Sequence, residues 1–427
     1  MYGAPTVRIV HAADLHVDSA LEGLERHDGA PVGTVRGATR RALENLVALC
    51  IAEDAKLLLL AGDLFDGAWK DFNTGLFFVS QMKRLREAGI PVVIARGNHD
   101  AESRIPKQLR LPGNVRELPT ARATTIAFED LNVAVHGQSY ATVAVTEDLA
   151  ARYPMAVAGT INVGVLHTAL DGRPGHDTYA PTTVNKLVDR GYDYWALGHI
   201  HTREIVREDP WIVFPGNLQG RHARERGAKG ATVIEIEGRR VVSTRHAPLD
   251  VVRFEEIRIP IAGDDGGSGD AIDRARHAIG VAHGEAGGRL LAADVVFTGS
   301  PERHVALGPN RDRTASDVRS VALDVAGDGV WIARVRRHVT ASPTGEEDGA
   351  RKDALGRLIA AARACGASLD EAAAVLKSVD DLRDRLGESV TAGIFPDAAS
   401  AEDRADFFAE VEELLRAKLG SSPGSQP

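Results

Sequence analysis

The run Lys56–Ala61, KLLLLA, closed by Gly62-Asp63-Leu64-Phe65-Asp66-Gly67, constrains this chain more than any other stretch. Four consecutive leucines leave no polar face, so the segment reads as a strand buried on both sides, the pattern of a helix-covered parallel sheet. It is too short to cross a membrane. Asp63 falls at the carboxyl end of this strand, the edge where open α/β sheets place their ligands. A single Gly-Asp pair is usually only a turn. Here the arrangement recurs along the chain, and the recurrence makes Asp63 a candidate site residue.

Val7–Ala12 is a strand followed at once by Asp14-Leu15-His16. Thr39–Asp54 is an amphipathic helix with Leu43, Leu46, Val47 and Cys50 on one face, and Thr74–Ala88 is a second helix stopped by Gly89 and Pro91. Pro91–Ala95 leads into Gly97-Asn98-His99-Asp100. Asn132–Val135 leads into His136, Ile161–Leu166 into His167, Tyr192–Leu197 into Gly198-His199-Ile200-His201, and Trp211–Phe214 into Pro215-Gly216-Asn217. Pro181–Arg190 reads as helical. Strands at Ala231–Glu237 and Arg240–His246 close a first domain, 1–248. The alternation predicts the α/β class. A smaller α+β module is expected over 249–340, with strands at Val251–Ile261, Leu290–Phe297 and Val330–Val339 and a helix at Ala271–Gly284. A polar linker over 341–353, a helical region over 354–420 (helices at about 354–365, 369–386 and 402–419) and a disordered tail over 421–427 complete the expected organisation.

Apolar residues make up 44% and charged residues 26% of the chain, as in an ordinary soluble protein. The opening residues lack the zones of a signal peptide, and the two cysteines, Cys50 and Cys365, lie far apart in helical patterns. Buried thiols in a reducing compartment, a cytoplasmic location and no membrane association are therefore expected, and a zinc–thiolate site is excluded by count. The net charge of −9 argues against a surface uniformly coated for nucleic acid. It leaves room for a local basic groove, and it suits a site for metal cations.

Asp14 and His16, Asp63, Asn98 and His99, His167, and His199 and His201 form groups, and each group begins one to three residues after an apolar strand. Strand ends of a parallel sheet share one edge, so these residues can converge. Carboxylates, imidazoles and an amide oxygen, without a thiolate, suit manganese, iron or zinc better than calcium. Some seven ligands exceed what one open catalytic metal needs. They fit two ions ~3.5–4 Å apart, the arrangement used for phosphate-ester hydrolysis. The bridging group must be anionic and rigidly placed, which Asp63 satisfies. On an extended segment Asp14 and His16 would face the same side. His199 and His201 would do likewise, or aim their rings at different ions.

The order D-x-H, G-D-x-x-D, G-N-H-D, H, G-H-x-H resembles the calcineurin-like metallophosphoesterases. The longer phrases HAADLHVDSALEGL, RGNHD, LHTALDGRPGHDTYAP, YDYWALGHIHTRE and FPGNLQGRH are most similar to SbcD-type DNA repair exonucleases of the YhaO-like branch. The resemblance covers residues 7–246 strongly, and the 250–340 module more weakly as a capping domain. It implies a four-layer α/β/β/α sandwich. It also implies that Asp14, His16 and His201 hold one divalent ion, that Asn98, His167 and His199 hold a second, and that Asp63 bridges them. Manganese is the activating ion the resemblance suggests. A metal-bridging water would attack the phosphodiester of DNA, with His99 meeting the phosphate and helping the leaving oxygen. Asp100 would orient His99 or a neighbouring ligand. An SbcC-like coiled-coil ATPase and a homodimer are the partners implied; the chain itself has no Walker-type phosphate loop. The chain has Asp66 where the more distant exonucleases commonly carry histidine.

Arg221, His222 and His176 are weaker candidates for substrate binding, as are His136 and Tyr179. Arg36, Arg40 and Arg41, with Arg104, Lys107 and Arg110, offer a possible DNA track; each is as readily a solvated surface residue. Two rival functions fit the same motifs: a nucleotide or small-molecule phosphoesterase, and a non-catalytic scaffold binding DNA or an ATPase.

Overall fold

The computed structural model describes residues 6–19, 31–66, 72–102, 109–172, 179–261, 268–299, 310–339, 354–368 and 370–372, with a few isolated positions besides. Two compact units divide the chain, one reaching Phe254 and the other beginning at Glu255 in the main chain direction.

Two six-stranded sheets build the first unit. In the first sheet β1 (Val7–Ala12), β2 (Leu57–Ala61), β3 (Val92–Ala95) and β4 (Val115–Glu117) are parallel. In the second, β6 (Val133–Gly137), β7 (Ile161–His167), β8 (Tyr194–Gly198) and β10 (Trp211–Phe214) are parallel, with β5 (Thr124–Phe128) and β9 (Glu204–Glu208) antiparallel at the edges. The first sheet is completed by β11 (Gly230–Glu237) and β12 (Arg240–Pro248), both antiparallel, giving the order β12-β11-β1-β2-β3-β4. The order in the second is β5-β6-β7-β8-β10-β9.

The leucine run of β2 is buried on both faces because a layer lies on each side of it. Leu57, Leu59 and Ala61 join Val163, Val165, Tyr194 and Ala196 in the core between the sheets. Leu58 and Leu60 face the opposite core, where α2 (Ala38–Ala52) contributes Leu43, Leu46, Val47 and Cys50 and α3 (Phe72–Glu87) contributes Phe78, Met82 and Leu85. On the outer face of the second sheet, Leu166, Trp195, Leu197, Ile212 and Phe214 are covered by Leu149, Tyr153 and Leu187. The layers therefore run helix, sheet, sheet, helix, with only short helical segments on the last side.

Three strands were not anticipated from the sequence: β4, β5 and β9. They are short and largely exposed or half-buried, so their hydrophobic alternation is weak. The helix expected over Pro181–Arg190 is only Val184–Val188 (α5), which starts where the Thr183 side chain accepts from Lys186 N. Cys50 is buried and its thiol is pushed up to about 12 by desolvation, while Cys365 is half-buried; both are free.

In the second unit β13 (Val252–Pro260), β14 (Leu290–Gly299) and β15 (Val330–Val339) form a sheet in that order. It shares a core with α6 (Ser268–Ala286) and α7 (Arg311–Ala326), built from Ile257, Ile259, Ala275, Ile279, Val295, Phe297 and Val318. Helix α7 lies in a stretch where no element was expected, and Asn310 caps it by accepting from Arg313 N. A further helix, α8, spans Ala354–Ala367. The expected linker over 341–353 and tail over 421–427 lie outside the described residues, as does most of the sequence expected to form helices at 369–386 and 402–419. Among the described residues, no helix is long and apolar enough to cross a membrane.

Candidate metal centre

Beyond the ends of β1 and β2 the two chains stay side by side. Asp14 N donates to Gly62 O (3.0 Å), His16 N to Asp63 O (3.1 Å) and Val17 N to Leu64 O (3.0 Å). Asp14 and His16 are thereby fixed against the Asp63 loop. They are not on an extended segment, as the alternation argument supposed. Both have positive φ, 51° and 41°, and so do Asp63 (52°) and His199 (99°). Left-handed backbone at a non-glycine residue costs of order 1–3 kcal/mol, and here it concentrates on residues that carry candidate ligands. The surrounding packing holds them there.

Close approach of the two sheets explains the glycine before two of the ligands. A Cβ on Gly198 would lie 1.9 Å from Ala61 O, and one on Gly62 would lie 2.3 Å from His167 Nδ1. The motifs Gly-Asp and Gly-His are steric requirements of this contact as well as turn signals.

Three clusters result, with the ligand atoms of each within 4.8 Å of one another: Asp14, His16 and His201; Asp63, His167 and His199; and His16, Asp66 and His99, the last sharing His16 with the first. Hydrogen bonds behind the imidazoles decide what they present. His16 Nδ1 donates to Asp66 Oδ1 (2.7 Å), and His201 Nδ1 donates to Glu225 Oε1 (2.6 Å). Each ring has then used its N–H, so each Nε2 carries a lone pair. These two Nε2 atoms face each other at 3.3 Å, with Asp14 Oδ1 3.9 Å from that of His201. Burial lowers the His16 pKa, which favours the neutral ring. In the second group His167 Nδ1 donates to Ala61 O (3.0 Å), and its Nε2 faces Asn98 Oδ1 (3.0 Å) and Asp63 Oδ2 (3.3 Å). In the first set the two Nε2 lone pairs converge; in the second, the oxygens of Asn98 and Asp63 converge on His167 Nε2, where a proton or a metal ion can sit. Mixed nitrogen and oxygen donors without thiolate fit divalent transition ions, and carboxylate- or carbonyl-backed histidines are the usual support of such ligands.

The charges agree with this chemistry. Desolvation opposes ionisation of Asp14 and raises it to about 6, although His167 and His201 pull the other way. Desolvation also opposes a charge on His167, but Asp63 and then Asp14 outweigh it and push the imidazole up to about 9. Asp63 itself is held below the usual carboxylate range, because His167 overcomes its burial. Without a metal, the second group holds a proton in the cation's place.

His99 is the most open member of the cluster, with 38% of its side chain exposed, and its Nδ1 lies 3.9 Å from Asp66 Oδ1. Its backbone N donates to Asp63 Oδ1 (3.0 Å). Asp100 is fully buried and accepts from Leu64 N (2.9 Å), Phe65 N (3.2 Å) and Gly97 N (3.1 Å). It ties the loops after β2 and β3 together, so its effect passes through the Asp63 loop. Burial, with Asp63 adding to it, raises Asp100 to about 7.

Glu225 was not anticipated. Besides His201 it accepts from Asn217 Nδ2 (2.7 Å) and Arg221 N (2.7 Å); burial opposes its charge, but the His201 hydrogen bond and the neighbouring Arg221 guanidinium hold it below the usual range. It lies four residues beyond Arg221 in the polar loop after β10, with no motif to mark it. Lys229 Nζ donates to His201 O (2.9 Å) from the end of the same loop. Arg221 lies between Asp66 and Glu225, and His222 Nε2 is 3.6 Å from Glu225 Oε1.

Other candidates fall elsewhere. His136 bonds Thr125 Oγ1 (2.8 Å) and Asn162 Oδ1 (3.0 Å) and stacks on Tyr192, a satisfied core histidine away from the ligands. Tyr179 sits beside His199, with ring centroids 5.8 Å apart. Arg40 is bound by Asp18 (Nε to Oδ1, 2.6 Å) and lies over the Phe77 ring. Arg41 is bound to Thr34 O. His176, Arg104 and Lys107 lie outside the described residues.

Residues 7–203 match the family of calcineurin-like phosphoesterases, and residues 254–340 match the middle domain of the metallophosphoesterase YhaO. The chain is 37% identical over 231 residues to the uncharacterized metallophosphoesterase YhaO of Bacillus subtilis (strain 168), covering 53% of this chain and 57% of that protein. It is 28% identical over 229 residues to the DNA double-strand break repair protein Mre11 of Methanopyrus kandleri, covering 49% and 48%. The chain thus spans about half the length of the curated relatives it matches. A solved dimetal phosphatase from Danio rerio aligns over 54% of this chain and 93% of its own at 11% identity and a TM-score of 0.34, a likeness that carries no argument. The paired ligand groups thus fall within the region similar to calcineurin-like phosphoesterases, and the region that follows is similar to the middle domain of YhaO.

Proposed function

We propose that the protein is a two-metal phosphodiesterase acting on DNA, with manganese as its activating ion. The observation that carries this reading is the convergence of metal-ready lone pairs in two adjacent groups, with the half-exposed His99 beside them. Asp14, His16 and His201 would hold one ion, Asn98, His167 and His199 the other, and Asp63 both. When bound, such ions supply Lewis-acid polarisation of the phosphate and a nucleophilic water at neutral pH.

The chain's own residues do the rest. Asp66 and Glu225 keep the N–H of His16 and His201 away from the centre, and Ala61 O does so for His167. Asp100 braces the Asp63 loop. His99 is placed to hydrogen-bond the phosphate or to give a proton to the leaving oxygen, a general-acid role.

DNA as substrate is supported by the similarity to a DNA double-strand break repair protein. The alternative is a nucleotide or small-molecule phosphoesterase using the same centre. A non-catalytic scaffold is disfavoured by the complete ligand set. An SbcC-like coiled-coil ATPase partner and a homodimer belong to the same proposal, and co-purification with such an ATPase would support the first.

The test is a manganese-dependent nuclease assay on linear DNA labelled at each end, run beside hydrolysis of bis(p-nitrophenyl) phosphate. Release of nucleotides from DNA, abolished by Asp63→Ala, is expected. Turnover of the small ester alone would sink the DNA reading, and full nuclease activity in the Asp63→Ala variant would sink the two-metal one.

A further inference from the structure

The Arg221 guanidinium stands among the supports of the metal ligands, yet those supports do not satisfy it. Nη1 is 3.5 Å from Asp66 Oδ1, Nε is 3.7 Å from Glu225 Oε1 and Nη2 is 3.4 Å from His201 Nδ1. None of these is a good hydrogen bond. Asp66 Oδ1 already takes the His16 proton at 2.7 Å, and Glu225 takes three shorter bonds, from His201, Asn217 and the Arg221 backbone. His201 Nδ1 is itself the donor to Glu225 and has no lone pair for Arg221. Nε is buried without a hydrogen-bond partner, while a fifth of the side chain, 20%, reaches solvent.

A cation placed beside ligands for two further cations raises the local potential. Asp66 and Glu225 hold it in place by charge and leave its planar N–H fork uncommitted. An oxyanion arriving at the metals would meet that fork and offset the excess positive charge. Asp66 Oδ1 is 3.5 Å from Arg221 Nη1 and 3.9 Å from His99 Nδ1, so both partly exposed side chains approach one carboxylate oxygen.

We infer that Arg221 is a ligand for the phosphoryl oxygens of the substrate, held ready by Asp66 and Glu225 near the carboxylate that His99 also approaches. This rests on the phosphoesterase reading above. The class of ligand is a phosphoryl group with two free oxygens, which a guanidinium binds in a fork and an ammonium binds only as a point charge. The loop Gly216–Lys229 is then a substrate-binding element, built on His201 through Glu225 and Lys229.

The experiment titrates the manganese-loaded full chain with inorganic phosphate by calorimetry, and separately measures manganese binding by electron paramagnetic resonance. Arg221→Ala should weaken phosphate by about tenfold or more while leaving manganese affinity within about twofold. Arg221→Lys should recover only part of the loss. For a p-nitrophenyl phosphodiester, KM should rise more than kcat falls. Unchanged phosphate affinity in Arg221→Ala would overturn the inference. So would a parallel loss of manganese, which would make Arg221 only a brace between two carboxylates. Failure of the wild type to cleave any phosphodiester would count against the phosphoesterase reading instead, because the phosphate titration reads Arg221 without turnover.

Discussion

His16 and His201 point their Nε2 atoms at each other across 3.3 Å, and each has a carboxylate on its far side, Asp66 for one and Glu225 for the other. The carboxylates take the only proton each neutral ring has. What remains is a pair of lone pairs that a divalent ion would relieve, and the arrangement can be tested apart from any substrate.

Asp66→Asn and Glu225→Gln keep shape but remove the charge behind one imidazole. Manganese affinity at the Asp14, His16 and His201 position should fall by about 10–100-fold in each. The position of His167 should change little, since Ala61 O supports it. Calorimetric titration with manganese, resolving a strong and a weakened class of sites, checks this.

Manganese binding should release protons and strengthen as pH rises from 7 to 9. His167 is raised to about 9 in the metal-free protein, so at pH 7 its imidazole carries a proton that the metal must displace. Apparent affinity at that position should rise by up to about tenfold per pH unit until the pKa is passed. Titrations in buffers of different ionisation enthalpy measure the protons released, and a pH-independent affinity would contradict the assignment.

His99→Ala should lower kcat for the phosphodiester by about 10²–10⁴-fold, the usual range for a positioned acid–base group. Manganese affinity should survive, because His99 faces Asp66 and leaves the ligand groups intact. Steady-state kinetics beside a manganese titration separates this from loss of the centre.

Gly198→Ala should destabilise the first unit by about 1–3 kcal/mol, the range for overpacking a tight core. The added methyl meets a backbone carbonyl, Ala61 O, which cannot rotate away. Urea unfolding checks the value, and metal binding should weaken in parallel, since Ala61 O also supports His167.

Acid should destabilise the fold through His11. This residue is buried between the sheets, bonded to Tyr194 Oη and Leu197 O at 3.1 Å each, and desolvation lowers it to about 3. A histidine with a depressed folded pKa binds its proton more readily when unfolded. Its stabilising share is therefore complete above the unfolded value of about 6.5 and is lost as pH falls from there toward 3. Melting temperature against pH should be flatter in that window for His11→Gln.

How much of this could be read in advance varies by residue. Asp63 and the ligands after β3, β7 and β8 were legible because a buried parallel strand announces its own end, and a polar residue just past it has few reasons to be there. The edge strands β4, β5 and β9 were not, because a strand that buries little has no apolar pattern to detect. Asp14 and His16 do converge with the other candidates, but not through an extended segment: positive φ at both positions, and pairing with the Asp63 loop, sets their direction. Glu225 was missed. Nothing in a glutamate 24 residues past a histidine signals that the two are 2.6 Å apart.

The sequence by itself determined the strand–helix alternation of the first unit and the turns that carry candidate ligands, because strand burial and turn chemistry are local properties; the two-sheet layering was implied only by the family resemblance. Only the tertiary structure decided which candidate ligands cluster, which nitrogen of His16, His167 and His201 faces the cluster, and that Asp66, Glu225 and Arg221 stand beside them. Those depend on how closely two sheets and four loops approach, distances that are set by packing across the whole unit and by the missing side chains of Gly62 and Gly198.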